Sequence, residues 1–409
     1  SARRSADVRQ IVLLLALLIF AAAVRVQRLE IPSRMVFDEI YYAKAANQYL
    51  HRQEITEEVT HPPLSKLLIA VGMRLFGDRA RGWRIMSVVA GVLLVLVTYL
   101  LAWELVRSPF VAVASAMLIA VDGLAFVESR IAKPDIFLVL FLVTSYLAFW
   151  RYLRRGRLGW LYLSGLSAGM ALATKWTGIA PLATIPIYLA YVLGQGRWAL
   201  PGRRFWLHLL LAYGAVPLAV YMATWVPYFT LGHSMREFVQ FQGGMFRFHA
   251  TLREGHPYQS QWWSWPLLLR PIWYEFEEVQ KGFYRGLLAI GNPVLWWGSL
   301  AALIYLGREV VQGRDPEAAF VVIGFLVSYV PYAFIGRALF LYHMLPALPF
   351  MALAASLAAS RIRARLGVAI PLLYLTAATA WFVAYYPLLS SLPIASARFY
   401  RLMWSGRWL

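Results

Sequence analysis

Apolar runs alternate with short basic clusters along most of this chain, and two longer mixed stretches interrupt the rhythm. A hydrocarbon core of about 30 Å takes roughly 20 apolar residues per helix. Eleven stretches meet that requirement: 9–27, 85–104, 109–127, 132–150, 158–174, 177–194, 206–226, 286–306, 318–335, 339–360 and 366–387. They predict an all-α polytopic membrane protein of about 11 transmembrane helices, a single body over 1–409. The first run, Ile11 to Val24, follows Arg3, Arg4 and Arg9 in the manner of a signal peptide. No convincing small-residue cleavage site follows it, so it reads as a retained span.

The two mixed stretches, 28–84 and 227–285, are too long for connectors and too aromatic and patterned for disorder. In the first, Pro62 and Pro63 precede Leu64, Leu67, Leu68, Val71 and Leu75. That spacing predicts a proline-started helix with one apolar stripe, lying flat on a membrane surface. In the second, Trp262, Trp263, Trp265, Trp273 and Tyr274 surround Arg270 and Pro271, and an interfacial aromatic belt is the plainest account of them. The chain shows no internal repeat and no low-complexity tract.

Composition agrees with that picture. Hydrophobic residues make up 60% of the 409 and charged ones only 14%, against about 25% in soluble domains. Disorder and a disulfide-stapled secreted module are excluded. The absence of cysteine removes thiolate metal sites, redox pairs and cysteine nucleophiles, but leaves the compartment open.

The net charge of +19, from 39 Lys and Arg against 20 Asp and Glu, raises nucleic acid or an acidic surface as partners, and its distribution decides. With a cytoplasmic N-terminus, the segments 1–10, 104–109, 151–157, 195–204, 307–317 and 361–365 hold 16 cations. Short loops on the other side hold four, Arg130, Lys133, Lys175 and Arg337. This is a positive-inside signal, and an odd number of spans puts the C-terminus outside. The cations lie in separate short loops, unlike the continuous soluble face of a nucleic-acid binder.

The few charges that oppose this trend are the candidates for chemistry. Asp38 and Glu39 follow the first span; about 100° apart on a helix, they cannot serve one atom as a pair, so one can act as base while the other holds another part of a substrate. The plain alternative is a helix N-terminus favouring acids. His61, fixed before Pro62-Pro63, is by frequency a structural hydrogen-bonding group, and seven histidines without HxxxH or HxH spacing argue against a His-based metal site. Glu128, Arg130, Lys133 and Asp135 crowd eight residues between apolar spans, and Lys175 is isolated between two more. Ionisable groups at membrane depth are costly and point to function when they face a cavity; snorkelling to headgroups is the alternative. With Arg337 and His343 they form an outward-side set suited to a phosphate at headgroup depth. No P-loop or Rossmann fingerprint suggests a nucleotide as its source.

Taken in order, Phe37-Asp38-Glu39, His61-Pro62-Pro63-Leu64-Ser65-Lys66, Asp122-Gly123 with Ser129-Arg130-Ile131 and Asp135, Lys175-Trp176-Thr177-Gly178, Gly291-Asn292-Pro293 with Trp296-Trp297, and Leu341 through Pro349 resemble the protein O-mannosyltransferases. The resemblance runs from about residue 35 to 350. It implies a GT-C fold and transfer of mannose from a polyprenyl-phosphate carrier to Ser or Thr hydroxyls of exported proteins. The second outer stretch is too short for the β-trefoil (MIR) domain of eukaryotic members, so a bacterial-type member at the outer face of the plasma (inner) membrane is implied. The resemblance further implies Asp38 as catalytic base, Glu39 at the acceptor, and Arg130 and Lys175 at the carrier phosphate. The candidate set also takes Arg337 at the phosphate and His61 on the acceptor side, with Asp135, His343 and Asn292 supporting. Ser65 stands where the family has glycine, and Lys133-Pro134 where it has Met-Leu.

A lipid phosphate is a good leaving group, so such an enzyme must chiefly deprotonate the hydroxyl and neutralise the departing phosphate. No metal or cofactor beyond the lipid-linked sugar is required. A helix N-terminus would depress the pKa of Asp38, while apolar burial would oppose this. An aminoarabinose-transferase-like enzyme glycosylating a lipid or glycan is the alternative within the fold. A secondary transporter is the alternative outside it, although paired repeats and broken helices are missing.

Overall fold

The apolar stretches become helices where the flanking residues supply their ends. The computed structural model describes residues 2–196, 202–252, 255–313 and 315–408, with side chains from Val8 onward. The side chains of Arg3 and Arg4, together with Arg197 and Arg314, all counted among the cytoplasmic cations, lie outside the described residues.

The chain runs through α1 (Ala2–Val26), α2 (Glu39–Leu50), α3 (Leu64–Phe76), α4 (Ala80–Val106), α5 (Pro109–Ala120), α6 (Gly123–Glu128), α7 (Asp135–Arg155), α8 (Leu158–Thr174) and α9 (Ala180–Gly194). Next come α10 (Arg203–Leu210) and α11 (Val216–Thr224), joined by a wider helical turn over Leu211–Ala215, then α12 (Val226–Thr230) and α13 (Met235–Thr251). Strands β1 (Ile272–Gln280) and β2 (Phe283–Ala289) precede α14 (Pro293–Val311), α15 (Pro316–Tyr329), α16 (Leu348–Leu366) and α17 (Ala369–Leu389). The end of the chain forms β3 (Ile394–Ala395) and α18 (Ser396–Leu402).

Among the described residues, nine helical segments are long and apolar enough to cross a membrane, and α5 and α8 are shorter apolar helices. Together they occupy the eleven predicted stretches, and the protein is a multi-pass membrane protein. Exposed Ile11, Val12, Leu15 and Ile19 on α1, Leu218 on α11, Ile304 on α14 and Leu373 on α17 belong to the surface a bilayer covers. Helices α7 and α16 are the innermost: α7 packs on α4 and α8, and α16 on α14 and α5.

Three boundaries differ from expectation, the first two through a capping residue. The 109–127 stretch stops at Ala120 because Asp122 caps α6, accepting from the Ala125 N–H at 2.9 Å. The 286–306 stretch begins as strand; its helix starts only at Pro293, where Asn292 accepts from the Val294 N–H at 3.1 Å. The 339–360 stretch opens as a tight 3-10 turn, Leu341–Ala347, before α16.

A three-stranded antiparallel sheet, in the order β1-β2-β3, adds to the helical body. Its hairpin pairs Ile272 with Ala289, Phe276 with Gly286 and Gln280 with Phe283. The turn needs Gly282, whose φ of 79° lies in the left-handed region. The Trp and Tyr at 273 and 274, read as an interfacial belt, instead alternate along β1, and both are buried. On α3 the predicted stripe ends on the open side, with Val71 and Leu75 exposed, whereas Lys66, Ile69 and Met73 turn inward.

Candidate active site

The site is assembled from loops and helix ends on the side of the molecule that the charge pattern assigned to the outside. Asp38 is the N-cap residue of α2, but its carboxylate makes no capping hydrogen bond. Phe37 before it takes a left-handed backbone (φ 49°), uncommon for a bulky residue, and its ring stacks on Tyr274 with centroids 4.4 Å apart. This turn aims Asp38 outward, with 31% of its side chain open. Glu39 points the other way. It is fully buried, its two oxygens accept from Arg84 Nε and Nη2 at 2.8 Å each, and the backbone N–H groups of Val36 and Ala132 fill its remaining positions at 3.0 Å. Arg84 also gathers the loop carbonyls of Leu29, Pro32 and Arg34.

Beneath Asp38 lies a buried acid–base cluster. Lys133 Nζ is 4.0 Å from Asp38, 3.2 Å from Glu128 and 3.5 Å from Asp135. Asp135 in turn accepts from Lys175 Nζ at 2.9 Å. Tyr274 donates its hydroxyl to Glu128 and lies 3.0 Å from Lys133. Burial pushes the Asp38 carboxyl above the usual range, and Lys133 is the strongest charge opposing that rise. Burial, with Lys133 opposing and Asp135 adding, pushes Glu128 up to about 6. A carboxyl raised in the way of Asp38 suits a base.

Lys175 owes its position to a break between α8 and α9, where it is extended (φ −159°, ψ 143°) ahead of a 3-10 turn. The turn comes so close to α8 that a Cβ on Gly178 would sit 2.2 Å from the Ala171 carbonyl, so only glycine fits. His61 Nδ1 lies 3.0 Å from Tyr42 Oη, Thr60 Oγ1 and Glu58 Oε1 alike. The loop carrying it is pinned by Lys66, whose Nζ donates to the Glu58 carboxylate and to the carbonyls of Glu58 and His61 at 2.7–2.8 Å. Burial holds His61 below the ordinary histidine pKa, and burial with neighbouring His61 takes His249 down to about 4, so both rings are neutral near pH 7.

Alongside runs a cleft of about 450 Å³. His61, Lys175, His249 and Arg337 line part of it, and Ile179, Ala180, Ala183, Phe246, Val327 and Ile335 supply apolar wall. Among the described residues Lys175 has one acidic partner, Asp135. Arg337, half-buried, makes no hydrogen bond or ion pair among the described residues. The arrangement offers cations to an anion and an apolar groove to a hydrocarbon chain. Among the described residues, no group of three or more His, Asp and Glu is placed to hold a metal ion.

The structure thus brings Asp38, Asp135, Lys175, His61 and Arg337 to one region and occupies other candidates elsewhere. Arg130 is buried and donates to the carbonyls of Val24, Arg25, Gln27 and Arg28, closing the C-terminus of α1, and is absent from the cleft lining. Glu39, expected at the acceptor, has its oxygens taken by Arg84 and backbone. Asn292 joins helices: its side chain donates to the Val121 and Ala378 carbonyls, and its N–H to Asp122. His343 is buried against Trp265 and Tyr342 and accepts from the Phe340 N–H at 3.1 Å. Glu58 did not stand out in the sequence, and Tyr274 and Tyr342 entered only within an aromatic cluster and a motif, without a role. Glu58 stands three residues before His61, a spacing that could have marked it; Tyr274 depended on the strand pattern.

Three family descriptions match the chain in order: "Dolichyl-phosphate-mannose-protein mannosyltransferase" over residues 15–83 and again, in a second form, over 60–225, and "C-terminal four TMM region of protein-O-mannosyltransferase" over 234–408. The polyprenol-phosphate-mannose–protein mannosyltransferase of Mycolicibacterium smegmatis is 27% identical over 91% of this chain and 87% of its own. An undecaprenyl phosphate-α-4-amino-4-deoxy-L-arabinose arabinosyl transferase of Pseudomonas paraeruginosa is 33% identical, but over 53% of this chain and 41% of its own. The fold is shared with the S. cerevisiae protein O-mannosyltransferase Pmt1-Pmt2 complex bound to the sugar donor, at a TM-score of 0.87 and 16% identity over 98% of this chain and 93% of that one. With family matches in order along nearly its whole length and a shared fold, the chain belongs to the protein O-mannosyltransferase family and is a GT-C glycosyltransferase.

Proposed function

We propose that this protein transfers mannose from a polyprenyl-phosphate-mannose donor to serine or threonine hydroxyls of exported proteins, with inversion, at the outer face of the plasma membrane. The observation that carries the reading is a partly exposed carboxylate, Asp38, within the electrostatic reach of Lys175 and His61, which line a cleft that is cationic in one part and apolar in the rest. The polyprenyl chain lies along the apolar wall, and Lys175 and Arg337 meet the phosphate. Asp38 takes the proton from the acceptor hydroxyl as its oxygen bonds to C1 of the sugar. The bond from C1 to the phosphate oxygen breaks, and the electron pair leaves with the lipid phosphate, whose charge the cations offset. Arg130 and Glu39 act by holding α1 and the loop before α2 in place. The scheme calls for no metal or organic cofactor.

The charge distribution supports the orientation. Glu104, near the far end of α4, is buried and gathers Arg107, Arg151 and Arg155 from two of the basic segments. Arg84, which anchors the site loop, lies on the same helix about 30 Å away at 1.5 Å per residue. The basic segments are cytoplasmic in this reading, with the N-terminus, and the site and C-terminus are outside.

Purified protein in detergent, given polyprenyl-phosphate-mannose and a Ser/Thr peptide, should add one hexose to the peptide, and Asp38→Asn should abolish that addition. Full activity of the variant would overturn the base assignment. The partial likeness to the aminoarabinose transferase keeps a lipid acceptor as the second reading. A lipid acceptor modified in preference to the peptide would favour it.

A further inference from the structure

We infer that Lys133 is a positioning residue of the transfer reaction, an ammonium caged by the site so that it keeps the Asp38 carboxylate ionised and in place. The inference rests on Asp38 being the base. Its geometric ground is the crowding of three carboxylates, Asp38, Glu128 and Asp135, within 4.0 Å of one nitrogen. Lys133 is 1% exposed, too deep for a headgroup contact. Its Nζ lies 3.6 Å from the centroid of the Tyr342 ring, 4.7 Å from that of Tyr274 and 5.2 Å from that of Phe37, so aromatic faces hold it where carboxylates do not.

The three contacts are unequal. Glu128 is the nearest carboxylate and is itself held by the Tyr274 hydroxyl. Asp135 is shared with Lys175, which relieves Lys133 of much of that charge. Asp38 is the most distant of the three and the only one whose side chain is partly exposed. Lys133 is thus anchored on two buried acids and directs its remaining field at the third. The other groups facing Asp38 are Asp135 on α7, Lys175 at the end of α8, His61 in the loop before α3, Tyr42 on α2 and Tyr342 before α16. Burial raises the Asp38 carboxyl, and Lys133 is the largest charge working against that. Burial also lowers the affinity of Lys133 for its proton, yet Glu128, Asp135 and Asp38 together more than restore it.

The test is the pH dependence of kcat/KM for peptide mannosylation in two variants with opposite expected signs. Lys133→Met keeps the unbranched stem and removes the charge. The Asp38 pKa rises, the base loses its ionised form sooner as pH falls, and the acidic limb moves up by about 1 pH unit. Glu128→Gln removes a neighbouring negative charge and frees the ammonium for Asp38, so the limb moves down by a few tenths of a unit to about 1 unit. If Lys133→Met does not fold, the downward shift in Glu128→Gln still decides. Lys133 as mere filler predicts a uniform loss of rate with both limbs at the wild-type pH, and that result overturns the inference. Asp38→Asn separates the two levels: with that variant inactive, unmoved limbs remove Lys133 alone, whereas an active Asp38→Asn removes the base assignment itself.

Discussion

Asp38 and Glu39 are neighbours in the chain, identical in charge, and opposite in what the fold does with them. Glu39 is enclosed, with a guanidinium and two backbone N–H groups on its carboxylate. Asp38 keeps almost a third of its side chain open, accepts no hydrogen bond among the described residues, and meets its nearest cation only at 4.0 Å. A carboxylate whose lone pairs are all engaged is a fastener. One held close to a cation without a hydrogen bond keeps a lone pair for an incoming proton. The rotation of about 100° between successive helical residues suffices to send one into the protein and leave the other partly exposed.

Exchanging the charges separates these roles. Asp38→Asn should lower transfer by about 100- to 10,000-fold with little change in thermal unfolding, since no native hydrogen bond is lost. Glu39→Gln should do the converse: it leaves Arg84 buried without a counter-charge, at a cost of about 3–5 kcal/mol in unfolding measurements in detergent. A Glu39→Gln protein of unchanged stability and impaired peptide use would return Glu39 to the acceptor. Arg337→Ala should raise the KM for the lipid donor by about 10-fold or more, the worth of one charge-assisted hydrogen bond, while the peptide KM holds. Arg130→Ala should instead lower the unfolding temperature through the carbonyls it leaves at the end of α1, without that selective effect on the donor. The shifts of the acidic limb in Lys133→Met and Glu128→Gln are the smallest of these effects and the most specific to Asp38.

Much of the site was legible because membrane depth makes charges rare. Asp38, Asp135, Lys175 and Arg337 stand out against apolar spans, and ordered motifs tied all of these but Arg337 to a family. Arg130 stood out equally and belongs to a helix end, because a solitary cation in a sequence looks the same whether it faces a ligand or four carbonyls. Lys133 stood out as a charge between apolar spans and as a departure from the family pattern, but no role followed, since its contact with Asp38 joins two distant parts of the chain. The hairpin escaped notice because its aromatic residues also fit an interfacial belt, and the partner positions that make β1 a strand lie on β2.

By itself the sequence determined that the protein crosses a membrane many times, which segments carry the positive charge, and which few ionisable residues stand on the other side. Span length and charge placement are local quantities, readable one segment at a time. Only the tertiary structure decided which of those charges were already satisfied. That depends on distances between groups far apart in the chain: Glu39 with Arg84, Arg130 with the end of α1, Lys133 with Asp38, and Arg337 beside an apolar cleft without a partner among the described residues.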